Sequence, residues 1–177
     1  GDQNFDDDEQ NAFRVDPNFE FGLLLFRHVL AAQTGRAPIT AGDPELIGRP
    51  VPDLDRIPTR GGPTNTIAFF PRGWIRTQDG LEVYGGPLFA FSEVDNADPF
   101  NSRLEGGEPH NFLGGNPGPF YGVELDAGLR YRTLLFGTEL TMGLEGGVLF
   151  PGNAFRQLDG TRMTEVLGVR AMVDYRL

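Results

Sequence analysis

The stretch Glu165-Val-Leu-Gly-Val-Arg-Ala-Met-Val-Asp-Tyr-Arg-Leu177 sets the terms for the whole chain. After Glu165 its odd positions are Leu167, Val169, Ala171, Val173, Tyr175 and Leu177, while the even ones are Val166, Gly168, Arg170, Met172, Asp174 and Arg176. One side is wholly apolar and the other carries every charge, which is the period-two pattern of a strand between two different environments. Residues 121–132 repeat it, with Tyr121, Val123, Leu125, Ala127, Leu129 and Tyr131 against Gly122, Glu124, Asp126, Gly128, Arg130 and Arg132. Residues 138–150 set Thr138, Leu140, Met142, Leu144, Gly146, Val148 and Phe150 against Glu139, Thr141, Gly143, Glu145, Gly147 and Leu149. Runs of twelve or more residues exceed the roughly five or six of soluble strands. They cover the roughly 9–11 that a tilted strand needs to cross hydrocarbon. A soluble sandwich also alternates, but rarely over such lengths.

Working back from these runs, residues 66–77 and 81–93 read as two more strands joined by Gln78-Asp79-Gly80, whose Asp-Gly favours a tight hairpin. Residues 15–32 fit a helical face through Phe21, Leu24, Leu25, His28 and Ala32, yet their length also suits a sixth strand, which is the assignment expected here. The fold expected is therefore all-β: an antiparallel transmembrane β-barrel with about six strands in this chain, forming part of a larger barrel. Residues 1–177 read as a single unit, with 1–14 as an acidic, polar lead-in. Short connections at 78–80 and 133–137 alternate with long ones at 94–119 and 151–163. Outer-membrane barrels have short periplasmic turns and longer external loops, so 94–119 is expected outside the cell and Leu177 at the periplasm.

Composition narrows the alternatives. The chain of 177 residues contains 25 Gly, 14 Pro and twenty aromatics (15 Phe, 4 Tyr, 1 Trp), a mixture rich in turn and strand formers. A net charge of -10 argues against nucleic acid, which needs a basic face. All fifteen basic residues are Arg, the side chain that pairs with carboxylates in a fork. The absence of Cys leaves neither a disulfide framework nor a thiolate metal site. No run approaches the roughly 18 apolar residues of a membrane helix; the best, 19–32, contains Glu20, Arg27 and His28.

The segment Leu144-Glu-Gly-Gly-Val-Leu-Phe-Pro-Gly-Asn-Ala-Phe155, followed by a polar loop and a last strand ending Asp174-Tyr-Arg-Leu177, resembles the final hairpin of Gram-negative porin-like and alginate-export-like outer-membrane proteins. The resemblance covers about the last thirty-five residues and implies that the terminal strand carries an assembly signal. In those families the signal ends in an aromatic residue, whereas here Leu177 is last and Tyr175 stands two before it.

Strands in lipid must close into a ring without edges, and six are fewer than the eight of the smallest common barrels. The expected partners are therefore membrane lipid, an amino-terminal barrel segment or other subunits, and a surface partner through loop 94–119. The lipid-facing side chains are expected to be Val123, Leu125, Leu129, Leu140, Leu144, Val148, Leu167, Val169, Val173, Tyr175 and Leu177. The pore-lining candidates are Arg72, Arg76, Glu82, Glu124, Asp126, Arg130, Glu139, Glu145, Arg170 and Asp174, joined on that face by Arg132 and Arg176. Cross-strand ion pairs that stiffen the wall are the simpler reading of these charges, and an ion filter the sharper one. Trp74, Phe89, Phe91, Tyr121, Tyr131, Phe150 and Tyr175 suit membrane interfaces.

Neither an enzyme nor a cofactor or metal site is expected. His28 and His110 are the sole histidines, and no triad or ligand spacing surrounds them. Asp95-Asn-Ala-Asp98 lacks the spacing of a calcium loop and reads as a turn built by Asx side chains. These readings predict an outer-membrane, porin-like channel for small polar solutes in a Gram-negative bacterium. The alternative is a non-conducting barrel that serves as a surface anchor or assembly partner.

Overall fold

The computed structural model describes residues 15–16, 19–31, 44–46, 49 and 61–176, so the acidic lead-in 1–14 and Leu177 lie outside the described residues. The alternating runs form one antiparallel sheet: β1 (Thr66–Phe69), β2 (Gly73–Arg76), β3 (Leu81–Ser92), β4 (Phe120–Leu135), β5 (Thr138–Pro151) and β6 (Val166–Arg176). Its order is β1-β3-β4-β5-β6, with β2 continuing β1 along the same edge of β3. Among the described residues the sheet is open, ending at β1 and β2 on one side and at β6 on the other.

Two expectations about strands need correction. The run 66–77 is broken at Phe70-Pro71-Arg72, which lies opposite Gly86-Pro87-Leu88 of β3. Pro71 and Pro87 have no amide hydrogen, so neither can donate to the ladder at this point. The segment 15–32 is not a sixth strand over its described part. Residues 19–31 form a turn and a π-helical turn, Leu25–Leu30, laid across one face of the sheet. Its apolar residues Leu23, Leu24, Leu25 and Phe26 are consecutive rather than alternating, and together with Val29 they are all buried. They pack with Leu88, Ala90, Tyr121, Leu149 and Phe155, and this cluster is the core.

The polarity of the two faces is the opposite of that in a water-soluble sheet. The glycine-rich, charged face lies under residues 19–31, and Glu124 on it is fully buried, at 0% exposure. The apolar face is bare: Leu167 is 77% and Val173 75% exposed, and Leu125, Leu129, Leu144 and Val169 are exposed beside them.

At one end the alternation slips. A bulge between Ala90 and Phe91 pairs Phe91 with Phe120 and Ala90 with Gly122, leaving Tyr121 as the extra residue. Gly122 takes φ +134°, a conformation that residues with a Cβ rarely adopt. Tyr121, expected among the interfacial aromatics, is thereby turned inward, where it stacks on Phe155 with ring centroids 5.7 Å apart.

The connections follow local chemistry. The β4–β5 strands extend beyond the turn expected at 133–137, leaving two residues, Phe136 and Gly137, both with positive φ as a type I′ hairpin requires. In the long loop, Asp98 caps the short helix α1 (Pro99–Leu104) by accepting from the Asn101 amide at 2.8 Å. The fully buried Asn111 ties this loop to the next, its amide donating to the Ala154 and Arg156 carbonyls at 2.8 Å each.

Candidate functional site: the inner face and the segment that covers it

Register on the sheet brings the alternating charges together. Gly128, Glu145 and Arg170 lie opposite one another on β4, β5 and β6, and Glu82 lies opposite Arg130. Glu145 is the hub: it accepts from Arg130 at 2.8 Å, from Arg170 at 2.5 and 3.0 Å, and from the Tyr84 hydroxyl. The Arg130 guanidinium also lies 4.9 Å from the Tyr84 ring centroid. Towards the end of the short turns stand smaller pairs, Arg76 with Glu82, Arg132 with Glu139 at 3.1 Å, and Asp174 with Arg176 at 3.0 Å.

The covering segment is fastened to this face twice. Glu124 takes hydrogen bonds from the Leu23, Leu24 and Leu25 amides at 2.5, 2.7 and 2.8 Å. These amides open a helical turn, where backbone donors lack partners and a negative charge is favourable. The second attachment is Glu20, which takes two bonds from Arg170 at 2.7 and 3.0 Å and one from Arg27. The Arg170 hydrogen bond holds the Glu20 carboxyl below its ordinary pKa of 4.5, against the opposing effect of burial. Sheet glycines make room for the segment: a Cβ on Gly168 would run into the Leu24 side chain, and one on Gly147 would lie 3.5 Å from the Leu23 Cβ.

Below the segment the face is hollow. A cavity of about 260 Å³ is lined by Glu20, Arg72, Tyr84, Arg130, Glu145 and Arg170. A second hollow of about 270 Å³ shares Arg72, Tyr84 and Arg130 with it and adds Trp74, Arg76 and Glu82. Arg72 stacks across Phe70 and Tyr84, 5.2 and 5.6 Å from their ring centroids.

All ten pore-lining candidates take the parity or the contacts of this face, but they divide into two groups. Arg72, Arg76, Glu82, Arg130, Glu145 and Arg170 surround the hollows, with Glu139 and Asp174 paired towards the short turns. Glu124 and Asp126 lie at the covered end, where Asp126 also borders the first cavity and Glu124 is spent on the segment's amides. The described lipid-facing candidates all share the other face, in the registers Val123 with Phe150, Leu125 with Val148 and Leu167, Leu129 with Leu144, and Leu140 with Tyr175. Glu20 and Tyr84 were missed as site residues. Strand parity places Tyr84 beside Glu82, whereas Glu20 reaches Arg170 across 150 positions, for which the sequence carries no signal.

His28 is half-buried in the segment, and desolvation, with Arg27 nearby, lowers its pKa. His110 sits in the long loop with Nδ1 3.0 Å from the Glu108 carbonyl oxygen. No protein-family model, curated protein or solved structure matches the chain.

Proposed function

We propose that β1–β6 form part of the wall of an outer-membrane β-barrel and that residues 19–31 occupy its lumen, making the protein an obstructed barrel that acts as a surface anchor or assembly partner. The observation that carries this reading is the reversed polarity of the sheet. Continuous apolar side chains face outward, while the ion pairs, the buried Glu124 and the packed segment lie within. In water so large an exposed apolar face is unfavourable, at about 25 cal/mol per Å². Against hydrocarbon it is the favourable surface.

Most outward aromatic positions fit the same reading, whereas Trp74, expected at an interface, pairs with Tyr84 on the inner face level with Glu145 and lines the second hollow. Phe69, Phe89, Phe91 and Phe150 stand outward at the end of the long loops, and Tyr175 at the other. From the level of Val123 and Phe150 to that of Thr133 and Tyr175 is ten residues along β4. At ~3.3 Å per residue and a tilt of ~40° this is about 25 Å, the height of a barrel's apolar band.

A porin-like passage for small polar solutes is the second reading, favoured by the hollows around Arg72 and Arg130. Reconstitution of the full-length protein in planar bilayers separates the two. An obstructed barrel shows insertion without regular conductance steps until residues 19–31 are deleted. Large steps from the intact protein overturn the obstruction, and failure to partition into lipid or detergent overturns the membrane reading itself.

A further inference from the structure

Strand direction constrains what completes the ladder. β1 and β2 together make one crossing of the sheet, because both pair with β3 in a single continuous sense, Thr66 with Ser92 through to Arg76 with Glu82. With β3, β4, β5 and β6 the crossings number five, each antiparallel to its neighbours. An odd antiparallel series has first and last strands that run the same way. The β1/β2 edge and the β6 edge are therefore parallel in direction, and neither has a partner on its outer side among the described strands.

We infer, on the basis of the barrel reading above, that the ring is closed by an odd number of further strands, at least three, that are not a second copy of β1–β6. In hydrocarbon an open edge leaves a row of backbone groups without partners. A second copy inserted the same way round brings its β1/β2 edge to β6 in parallel, and repetition around an axis makes every seam parallel. Antiparallel pairing of two copies requires one to be upside down, with its loops 94–119 and 151–163 on the wrong side of the membrane. An odd complement of different strands makes both seams antiparallel, as in bacterial single-chain barrels, and three is the smallest odd complement that reaches eight. The strand beside β6 must place apolar side chains level with Leu167, Val169 and Val173. Its inward side chains near Gly168 must be small, because Leu24 already fills that space.

Residues 1–177 contain no Cys, so single replacements within them can be compared in the full-length protein in its own membrane, with any cysteine outside them changed to Ser. Single replacements Thr64→Cys, Glu105→Cys and Asp159→Cys should react with a membrane-impermeant maleimide from one side, and Asp79→Cys and Arg176→Cys from the other. Reaction of all five from one side defeats the membrane reading. Reaction of Thr64→Cys and Arg176→Cys from the same side, with Asp79→Cys opposite, leaves that reading standing and defeats the odd count. A benzophenone maleimide on Val169→Cys then reports the neighbour of β6 after irradiation. A link within the same polypeptide outside residues 61–176, or a mass increase matching a different protein, supports the inference and distinguishes its two sources. A mass increase of one further copy, or no link to any polypeptide, overturns it.

Discussion

At the scale of single residues, the distinction between the two faces turns on pairs of neighbours. Val169 lies in register with Gly146 and Ala127, close to halfway between the two aromatic levels. Val169→Arg should therefore cost about 2–4 kcal/mol of stability in lipid or detergent, the cost of a charge near the bilayer midplane. Thr141→Arg, which points to the inner face between Arg132 and Asp174, should cost far less in the same urea titration, and equal losses would contradict the assignment of faces. The alternation alone suggests that replacing Arg170 by an apolar residue is harmless, but its bonds to Glu20 and Glu145 argue otherwise. Glu124→Leu leaves three buried amides without an acceptor, at roughly 1–3 kcal/mol for each buried donor left unpaired. It should loosen residues 19–31, read as faster amide exchange at Leu23, Leu24 and Leu25.

At the scale of elements, the covering segment and the bulge are the parts most open to manipulation. Protonation of Glu20 weakens its bond to Arg170. Because the folded-state pKa of Glu20 is depressed, its stabilising contribution is present above the ordinary carboxylate value of 4.5. It fades as pH falls below that value and is lost once pH passes the lowered folded pKa. Acidification through this window should expose residues 19–31 to protease while the strands stay protected, and Glu20→Gln should abolish the pH dependence. Simultaneous release of strands and segment would show that the segment has no separate equilibrium. At the bulge, Gly122→Val places a branched side chain at φ +134° against the Phe150 carbonyl. A thermal midpoint lowered by several degrees is expected, with Tyr121 losing its stack on Phe155. Register at this end was illegible because residues 121–123 still alternate on paper. The extra residue is absorbed only when β4 meets Ala90 and Phe91 of β3.

At the scale of the whole molecule, the sheet has one bare apolar face and one charged face, and a segment lying across the charged face makes the core. The full-length protein should need detergent or lipid to remain dispersed. Deleting residues 19–31 should uncover Glu124, Gly147 and Gly168 and leave the hairpin ladders of β3 to β6 intact by amide exchange. Collapse of the whole sheet on that deletion would mean that the segment is the sheet's foundation rather than its filling.

Local sequence determined β3 to β6, the Asp-Gly hairpin before β3 and, Tyr121 apart, which residues of β3 to β6 share a face, because a strand's side chains alternate strictly and its turn residues act over two or three positions. It also determined that charge and hydrocarbon would separate across the sheet. Tertiary structure alone decided that residues 19–31 cover the inner face instead of adding a strand, and that Tyr121 points inward. It also decided that Glu124 serves three backbone amides rather than an open passage. These outcomes depend on contacts between groups about a hundred or more positions apart, or on a slip between two paired strands. Neither leaves a periodic trace along the chain, since packing and amide satisfaction are settled only where the partner surface lies.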